Sequence, residues 1–358
     1  MNKALEFYRQ GFQSWGKHVV GMMVLVALFI GAFASQAAEP VKLIFDTDIG
    51  NDVDDALALA VIHALQDRGE CELLAVTVSK QSPYAATYVD AVNTYYGRPD
   101  IPIGRVKDGR TPESGKYVEA VVMTKNKQGE LLYPYDLGPQ QKAPEAVALL
   151  RKTLAAQPDA SVVLLVVGFS TNVVRLMDTP ADEYSELNGV ELIKKKVRLM
   201  SMMAGSFGFE PRGPGKERIE YNVKVDIPSA KKVIENWPTE LVLSPWYLGN
   251  SIKIPAVSME RDYGDSGPSP VQHAYRLYGK MPYDRPCYDL TSVLQAVRPN
   301  RGYFSLTLPG KVKVSDAGRT FFAGDEQGQT RVMLANEEQR IRVREAFVFL
   351  CSQPPLRK

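Results

Sequence analysis

The sequence predicts a single α/β domain with a mostly parallel open sheet flanked by helices. Short apolar runs typical of buried strands alternate with helical segments, which is the βαβ rhythm of parallel sheets. Polar residues suited to chemistry follow directly after these runs, where open α/β sheets hold their ligands. The length of the chain and its 45% apolar content suffice for one large core.

The first 37 residues have the features of an export signal. Three basic residues precede an apolar run over 19–34, and the small residues at 35–37 then suit a signal peptidase. We expect cleavage after Ala37, which leaves residues 38–358 as a mature domain in the periplasm or outside the cell, without stable membrane association. An uncleaved membrane anchor is the alternative, although the run falls short of the roughly 20 residues of a spanning helix.

Charge, histidine and cysteine counts exclude several classes of function. Without residues 1–37 the chain has 40 basic and 40 acidic residues, and a neutral chain is not expected to bind nucleic acid. Scarce histidine excludes a His-rich zinc site, and we expect His63 to pack in the core. An odd count of cysteines, far apart in the sequence, leaves open one disulfide or buried free thiols at Cys71, Cys287 and Cys351.

The elements follow from apolar periodicity and from Gly, Pro and capping residues. Predicted strands cover 43–45, 73–78, 101–103, 161–167, 196–203 and 241–243. Predicted helices cover 54–66, 83–96, 143–157, 290–297 and 337–350, with others starting near 170 and at 228. Residues 302–331 predict a small C-terminal β-meander that decorates the sheet. Residues 105–142 predict a long surface excursion, of a length that is usually functional or mobile.

An acidic segment lies between the first predicted strand and the first predicted helix, with the sequence Asp46-Thr47-Asp48-Ile49-Gly50-Asn51-Asp52-Val53-Asp54-Asp55. Crowded carboxylates raise one another's pKa, so this segment indicates a compensating hard divalent cation. An EF-hand is excluded because Asn51 and Leu57 occupy the positions where that loop needs Gly and Glu. A haloacid-dehalogenase-type phosphatase, which also opens with Asp-x-Asp, remains an alternative, although that family expects Thr or Val at Gly50.

Three further groups of polar residues each follow a predicted strand: the stretch 167–172, Glu220 with Asn222, and Asp289. We expect them to meet the acidic segment at one edge of the sheet. Ca²⁺ takes six to eight oxygen ligands, and the carboxylates of Asp48, Asp55 and Asp289 can supply some of them. Simple N-capping by Asp289, and loop hydrogen bonding by Glu220 and Asn222, are the structural alternatives.

Four separated motifs resemble those of the nucleoside hydrolase family. Residues 46–56 resemble its signature, in a variant with two extra residues before Asp-Asp-Ala. Later motifs follow in the right order, namely Val167-Gly168-Phe169-Ser170-Thr171-Asn172, Glu220-Tyr221-Asn222 and Tyr288-Asp289. The resemblance runs from about Val41 to about Val297. It implies a Rossmann-like nucleoside hydrolase fold and Ca²⁺-dependent cleavage of the N-glycosidic bond of ribonucleosides or related N-ribosyl compounds, as in purine and pyrimidine salvage.

The same resemblance implies roles for individual residues. Ca²⁺ would be held by Asp48, Asp55, the carbonyl of Val167 and Asp289, and Asp48 would be the general base for a metal-bound water that attacks the anomeric carbon. Asp54 and Asn222 would bind the ribose hydroxyls, Glu220 would hold the 5′ end, and Asn172 belongs with the substrate-binding residues. Tyr288 stands where many members have a histidine that acts as the acid for the leaving base. A tyrosine can stack on the base or form a hydrogen bond with it.

The family's chemistry is consistent with these residue types. Cleavage passes through an oxocarbenium-like state, which carboxylates beneath the sugar stabilise without histidine. A ribose-binding protein with weak catalysis is the alternative from another class, because tyrosine, with a reference pKa near 10, is a weak acid for the leaving base. The family also implies a nucleoside as the small-molecule partner and allows a homo-oligomer.

Overall fold

The computed structural model describes residues 39–139, 141, 143–207, 218–263 and 267–356. From Pro40 onward these residues belong to one compact unit. The predicted export signal lies outside the described residues. Within the described part of the chain, no helix is both long and apolar enough to cross a membrane.

One large sheet organises the described residues. Its parallel part consists of β1 (Val41–Thr47), β2 (Cys71–Lys80), β3 (Ile103–Arg110), β4 (Val162–Val166), β5 (Val197–Met203) and β6 (Glu240–Ser244). These strands lie in the order β3-β2-β1-β4-β5-β6. The chain therefore builds outward in one direction from β1 and in the other from β4. Ligands of open α/β sheets bind where the strand order reverses, here between the carboxyl ends of β1 and β4.

Helices cover both faces of this sheet. They are α1 (Asp54–Asp67), α2 (Ala85–Tyr95), α3 (Val118–Val122), α4 (Ala146–Ala155), α5 (Thr171–Met177), α6 (Gly189–Lys196), α7 (Tyr221–Val225), α8 (Ile227–Asn236), α9 (Trp246–Ser251), α10 (Ala256–Arg261), α11 (Pro270–Tyr278), α12 (Tyr288–Val297) and α13 (Glu337–Cys351). Alternate residues of β1 point to different cores: Leu43 and Phe45 pack into one, and Ile44 packs into the other. Because the middle of β1 is buried on both faces, the run Leu43-Ile44-Phe45 is continuously apolar. The predicted fold class is confirmed.

The C-terminal strands extend the main sheet. They are β9 (Ser305–Leu306), β10 (Gly310–Val314), β11 (Thr320–Gly324) and β12 (Thr330–Leu334). β10 and β11 form an antiparallel hairpin, but β12 pairs in parallel with β6 and joins the hairpin to the sheet. The predicted meander over 302–331 ends before most of β12, and so the sequence pattern missed the strand that makes this region continuous with the sheet. A two-stranded sheet, β7 (Lys253–Ile254) with β8 (Arg285–Pro286), lies apart.

The three cysteines are free thiols and all are buried, which decides between the two alternatives left by their spacing. His63 is fully buried in α1, as expected. Its Nε2 lies 2.9 Å from Asn93 Oδ1, and its ring stacks on Tyr96 with centroids 4.6 Å apart. Arg98 Nη1 approaches His63 Nδ1 at 3.4 Å. Burial and the charge of Arg98 lower the pKa of His63 to about 3, so the folded protein holds a neutral imidazole.

This neutral His63 makes the protein sensitive to acid. In the unfolded chain the imidazole takes up a proton near pH 6.5, whereas in the folded protein it does so only near pH 3. The free energy of unfolding therefore decreases as the pH falls through this window. Between pH 7.5 and pH 5, wild type should lose about 2 kcal/mol more than His63→Gln, whose amide can still donate to Asn93. Urea unfolding at both pH values measures the difference, and equal losses would contradict this prediction.

Candidate active site

The loop between β1 and α1 crosses the carboxyl end of the sheet and carries most of the acidic segment. Gly50 has φ +113°, a conformation that L side chains rarely adopt. Its N–H donates to the Tyr117 hydroxyl at 2.9 Å, and that hydroxyl donates to the carbonyl of Asp52 at 2.7 Å. Tyr117 therefore ties two points of the loop to the excursion that follows β3.

A cavity of about 190 Å³ opens beside this loop, between the carboxyl ends of β1 and β4. Its walls contain most of the residues singled out from the sequence, namely Asp48, Asp55, Val167, Glu220, Asn222, Tyr288 and Asp289. The remaining lining residues are Asn51, Asp52, Met203, Tyr221, Trp246 and Arg285, which had no assigned role. Asn51 and Asp52 belong to the acidic segment and Tyr221 lies between Glu220 and Asn222, so the sequence did contain a signal for these three as site residues. The sequence contained no signal for Trp246 and Arg285, because only the fold brings them to the cavity.

Asp48 is buried and is held by a chain of hydrogen bonds. Its Oδ2 accepts from Asn51 Nδ2 at 2.6 Å, and Asn51 Oδ1 accepts from Lys80 Nζ at 2.8 Å. Lys80 also donates to the carbonyl of Thr111 at 2.9 Å. Burial raises the pKa of Asp48 to about 6, and the Asn51 hydrogen bond and the Lys80 charge limit this increase. Asp48 is thus held by hydrogen bonding in one orientation and remains mostly ionised at neutral pH.

Asp55 and Asp289 are two carboxyl groups of the cavity wall whose ionisation burial strongly opposes. Asp55 accepts a hydrogen bond from the Thr47 hydroxyl. Burial, and then the charge of Asp48, raises its pKa well above the usual value. Burial, followed by the charge of Asp54, does the same for Asp289. Both groups are therefore costly to ionise without a nearby cation.

Asp54 does not line the cavity, although the resemblance had implied a contact with ribose. It is fully buried, and its Oδ1 accepts from Arg285 Nη2 at 2.7 Å. Its Oδ2 accepts from the backbone N–H groups of Tyr288 at 2.8 Å and Asp289 at 3.2 Å. Burial opposes ionisation here, but Arg285 and the hydrogen bonds hold the pKa of Asp54 below its usual value. Asp54 instead fixes the start of α12.

Asn172 also lies outside the cavity wall. It is fully buried in α5, and its Nδ2 donates to Asp46 Oδ2 at 2.8 Å, where the Thr77 hydroxyl donates as well at 2.6 Å. Asn172 therefore positions Asp46 behind the site. Asp46 itself is fully buried, and burial raises its pKa to about 7. The phosphatase alternative needs Asp46 as an accessible nucleophile, and this placement contradicts it.

Glu220 and Asn222 combine structural hydrogen bonds with a place in the cavity wall. Glu220 is the N-cap of α7, and its carboxylate accepts from the backbone N–H groups of Asn222 at 2.8 Å and Val223 at 3.1 Å. Burial nevertheless raises the pKa of Glu220 to about 7. Asn222 Nδ2 donates to the carbonyl of Val167 at 2.7 Å. The loop-bonding alternative is thus correct for both residues, but it does not remove them from the site.

Two aromatic side chains, Trp246 and Tyr288, also line the cavity. Trp246 and Tyr288 stack with ring centroids 6.2 Å apart and planes 24° from parallel. The Tyr288 hydroxyl donates to Asn250 Oδ1 at 3.2 Å. Burial raises the pKa of Tyr288 to about 12, so its hydroxyl keeps its proton at neutral pH. These rings suit a flat aromatic group better than they suit proton donation.

The donor chemistry of the cavity fits a hard divalent cation. Arg285 Nη2 pairs with Asp52 at 2.5 Å and Asp54 at 2.7 Å. Among the ion pairs of the described residues, none involves Asp48, Asp55 or Asp289. These three carboxylates, with the second lone pair of the Val167 carbonyl, are oxygen ligands of the kind that Ca²⁺ prefers.

One group of three carboxylate oxygens is close enough together to hold a metal ion, and it differs from the predicted ligand set. Single carboxylate oxygens of Asp52, Asp54 and Asp289 lie within 4.8 Å of one another, and neither Asp48 nor Asp55 belongs to this group. Arg285 already neutralises Asp52 and Asp54, so a cation there would compete with a guanidinium. Of the three predicted carboxylate ligands, the structure therefore brings only Asp289 into this group.

The family comparison matches most of the chain. The family model described as inosine-uridine preferring nucleoside hydrolase matches residues 43–347. No curated protein sequence matches this chain significantly.

Solved structures share the fold. A purine-preferring ribonucleoside hydrolase from Gardnerella vaginalis is 18% identical, with a TM-score of 0.62 over 87% of this chain and 98% of that one. An inosine-uridine preferring nucleoside hydrolase from Bacillus anthracis is 19% identical, with a TM-score of 0.63 over 87% and 99% of the two chains. The type III effector protein XopQ, solved with adenosine diphosphate ribose, is 14% identical, with a TM-score of 0.60 over 88% and 94%. At these identities the likeness establishes the fold alone.

Because its carboxylates are crowded, we expect the free energy of unfolding of the metal-free protein to decrease as the pH rises. Because the folded-state pKa of Asp55 lies above its unfolded value, ionisation costs folding free energy as the pH rises from about 4 toward the folded pKa. After removal of metal, the thermal midpoint should therefore fall more between pH 5 and pH 8 in wild type than in Asp55→Asn. We expect a difference of about 3 °C or more.

The matched control is Asp316→Asn, which removes an exposed aspartate that pairs with Lys231 and does not line the cavity. It should keep the wild-type dependence on pH. An Asp55→Asn midpoint that falls as steeply as that of wild type would show that crowding at this position does not affect stability.

Proposed function

Because the chain belongs to the inosine-uridine preferring nucleoside hydrolase family, we propose that it hydrolyses the N-glycosidic bond of ribonucleosides or related N-ribosyl compounds and releases a free base and ribose. The observation that carries the proposal is the convergence of Asp48, Asp55, Val167 and Asp289 on one cavity at the point where the strand order reverses. These residues come from three distant parts of the sequence. Their meeting supports a metal-dependent N-glycosyl hydrolase.

Ca²⁺ is the proposed cation, and Asp48, Asp55, the Val167 carbonyl and Asp289 would hold it. When bound, it would supply Lewis acidity that makes a water easier to ionise, and it would orient sugar hydroxyls. Asp48 is the proposed general base. Its carboxylate lies in the cavity wall, is directed by Asn51, and has a pKa of about 6, close enough to neutrality for efficient proton transfer.

The cavity's own residues account for the other requirements of the reaction. As the C–N bond breaks, positive charge develops on the sugar, and the buried carboxylates stabilise it. Trp246 and Tyr288 place aromatic rings in the cavity wall, where they would contact the leaving base. Since the Tyr288 hydroxyl is already donated to Asn250, stacking is the proposed contribution of Tyr288.

Hydrolysis should be detectable with a panel of inosine, guanosine, adenosine, uridine and cytidine. We expect release of base and of reducing sugar in the presence of Ca²⁺, and loss of both after chelation, because crowded ionised carboxylates then face the cavity without a cation. Chromatography of bases and a reducing-sugar assay measure the two products. Binding of nucleosides without turnover across the panel would overturn the proposal in favour of a ribose-binding protein.

Replacement of Asp48 by Asn keeps the volume of the side chain and removes its charge. We expect kcat to fall about 10²- to 10⁴-fold, the usual contribution of a general base, while the thermal midpoint changes little. Ca²⁺ binding to the variant, measured by calorimetry, separates loss of the base from loss of the cation. An Asp48→Asn protein with near-wild-type kcat would refute the role of Asp48.

A further inference from the structure

Two aspartates of the acidic segment are presented to the cavity in opposite ways. Asp54 has no exposed surface and is not part of the cavity wall. Asp52 is part of that wall, and 35% of its side chain is exposed. A hydroxyl group of a substrate can therefore reach the carboxylate of Asp52 but not that of Asp54.

We propose that Asp52, rather than Asp54, accepts hydrogen bonds from the ribose hydroxyls. The inference rests on the function proposed above and assigns sugar recognition to a different residue from the one that the family resemblance implied. Two extra residues in the acidic segment separate this chain from the usual signature. Asp52 stands two positions before Asp54, within the stretch that this longer variant of the signature extends.

The hydrogen-bonding capacity of the two side chains supports this assignment. Asp52 Oδ1 accepts one bond, from the Asp54 backbone N–H at 3.3 Å, and Oδ2 pairs with Arg285 at 2.5 Å. The Asp52 and Asp54 carboxyl groups also hydrogen-bond to each other. A carboxyl group offers about four lone-pair sites, so Asp52 still retains acceptor capacity. Asp54 Oδ2 already accepts two backbone N–H groups, and its Oδ1 is buried against Arg285.

Asp52 is also held in place before any substrate binds. The Tyr117 hydroxyl bonds to its carbonyl, and Arg285 pairs with its carboxylate. Arg285 pairs with Asp54 as well. One guanidinium therefore holds the exposed carboxylate of Asp52 next to the buried carboxylate of Asp54. A preorganised acceptor loses little entropy when it binds a sugar hydroxyl. In this arrangement Asp54 is a positioning residue for α12 and Asp289.

The test compares Asp52→Asn and Asp54→Asn in the full chain loaded with Ca²⁺. kcat/KM is measured for inosine, 2′-deoxyinosine and 3′-deoxyinosine, or for the uridine series if uridine is the better substrate. In wild type each missing hydroxyl should lower kcat/KM about 10- to 100-fold, as expected for a hydrogen bond to a charged group. In Asp52→Asn most of the preference for at least one hydroxyl should disappear. Asp54→Asn should slow all three substrates alike and keep the preference.

An unchanged preference in Asp52→Asn, or a collapse of preference in Asp54→Asn alone, would overturn the assignment. Loss of Ca²⁺ binding in Asp52→Asn, measured by calorimetry, would overturn it too, because Asp52 would then be a metal ligand. If wild type cleaves no nucleoside, the proposed function fails and the assignment is tested separately by calorimetry with D-ribose and 2-deoxy-D-ribose. Discrimination between these sugars should then depend on Asp52 and not on Asp54.

Discussion

The constraint on which the site depends is the burial of several like charges at the edge of one sheet. Asp48, Asp54, Asp55 and Asp289 are each at most 5% exposed, and Asp52 stands beside them. Water screens such charges poorly at these positions, so each must be neutralised by a cation or a proton, or stabilised by hydrogen bonds. The surrounding structure provides these partners unequally. That inequality distinguishes the carboxylates that maintain the fold from those that remain available for a ligand.

Arg285 and the start of α12 stabilise the buried charge of Asp54. Asp54 receives the guanidinium and two backbone N–H groups, which brings a segment more than two hundred residues away to the acidic segment. Asp55 and Asp289 receive no guanidinium, and burial raises the pKa of both. A divalent cation would relieve this cost, so binding of the metal and stability of the domain are expected to be linked.

The long excursion after β3 contributes to the site through backbone groups and through the side chains of Tyr117, Thr111 and Glu113. Tyr117 holds Gly50 and Asp52, while the carbonyl of Thr111 holds Lys80. Gly115 approaches the carbonyl of Gly50 so closely that a Cβ there would lie 1.9 Å from the oxygen. The length of this segment suggested a functional or mobile loop, and its described part clamps the acidic loop. The predicted surface excursion over 105–142 is nevertheless partly regular, because it contains the end of β3 and the helix α3, whose residues Val118, Val121 and Val122 are buried.

The sequence by itself determined the α/β class, the strand that precedes the acidic segment, and the carboxylates of Asp48, Asp55 and Asp289 as candidates for the cavity wall, because apolar periodicity and the chemistry of residue types are local properties. Only the tertiary structure decided that Asp54 and Asn172 point away from the cavity, and that Asp52, Trp246 and Arg285 line it. It also decided that the C-terminal strands continue the main sheet through β12. The physical reason is that a side chain's role depends on the partners that fill its hydrogen bonds. Those partners come from segments whose distance along the chain conceals that they are neighbours in space.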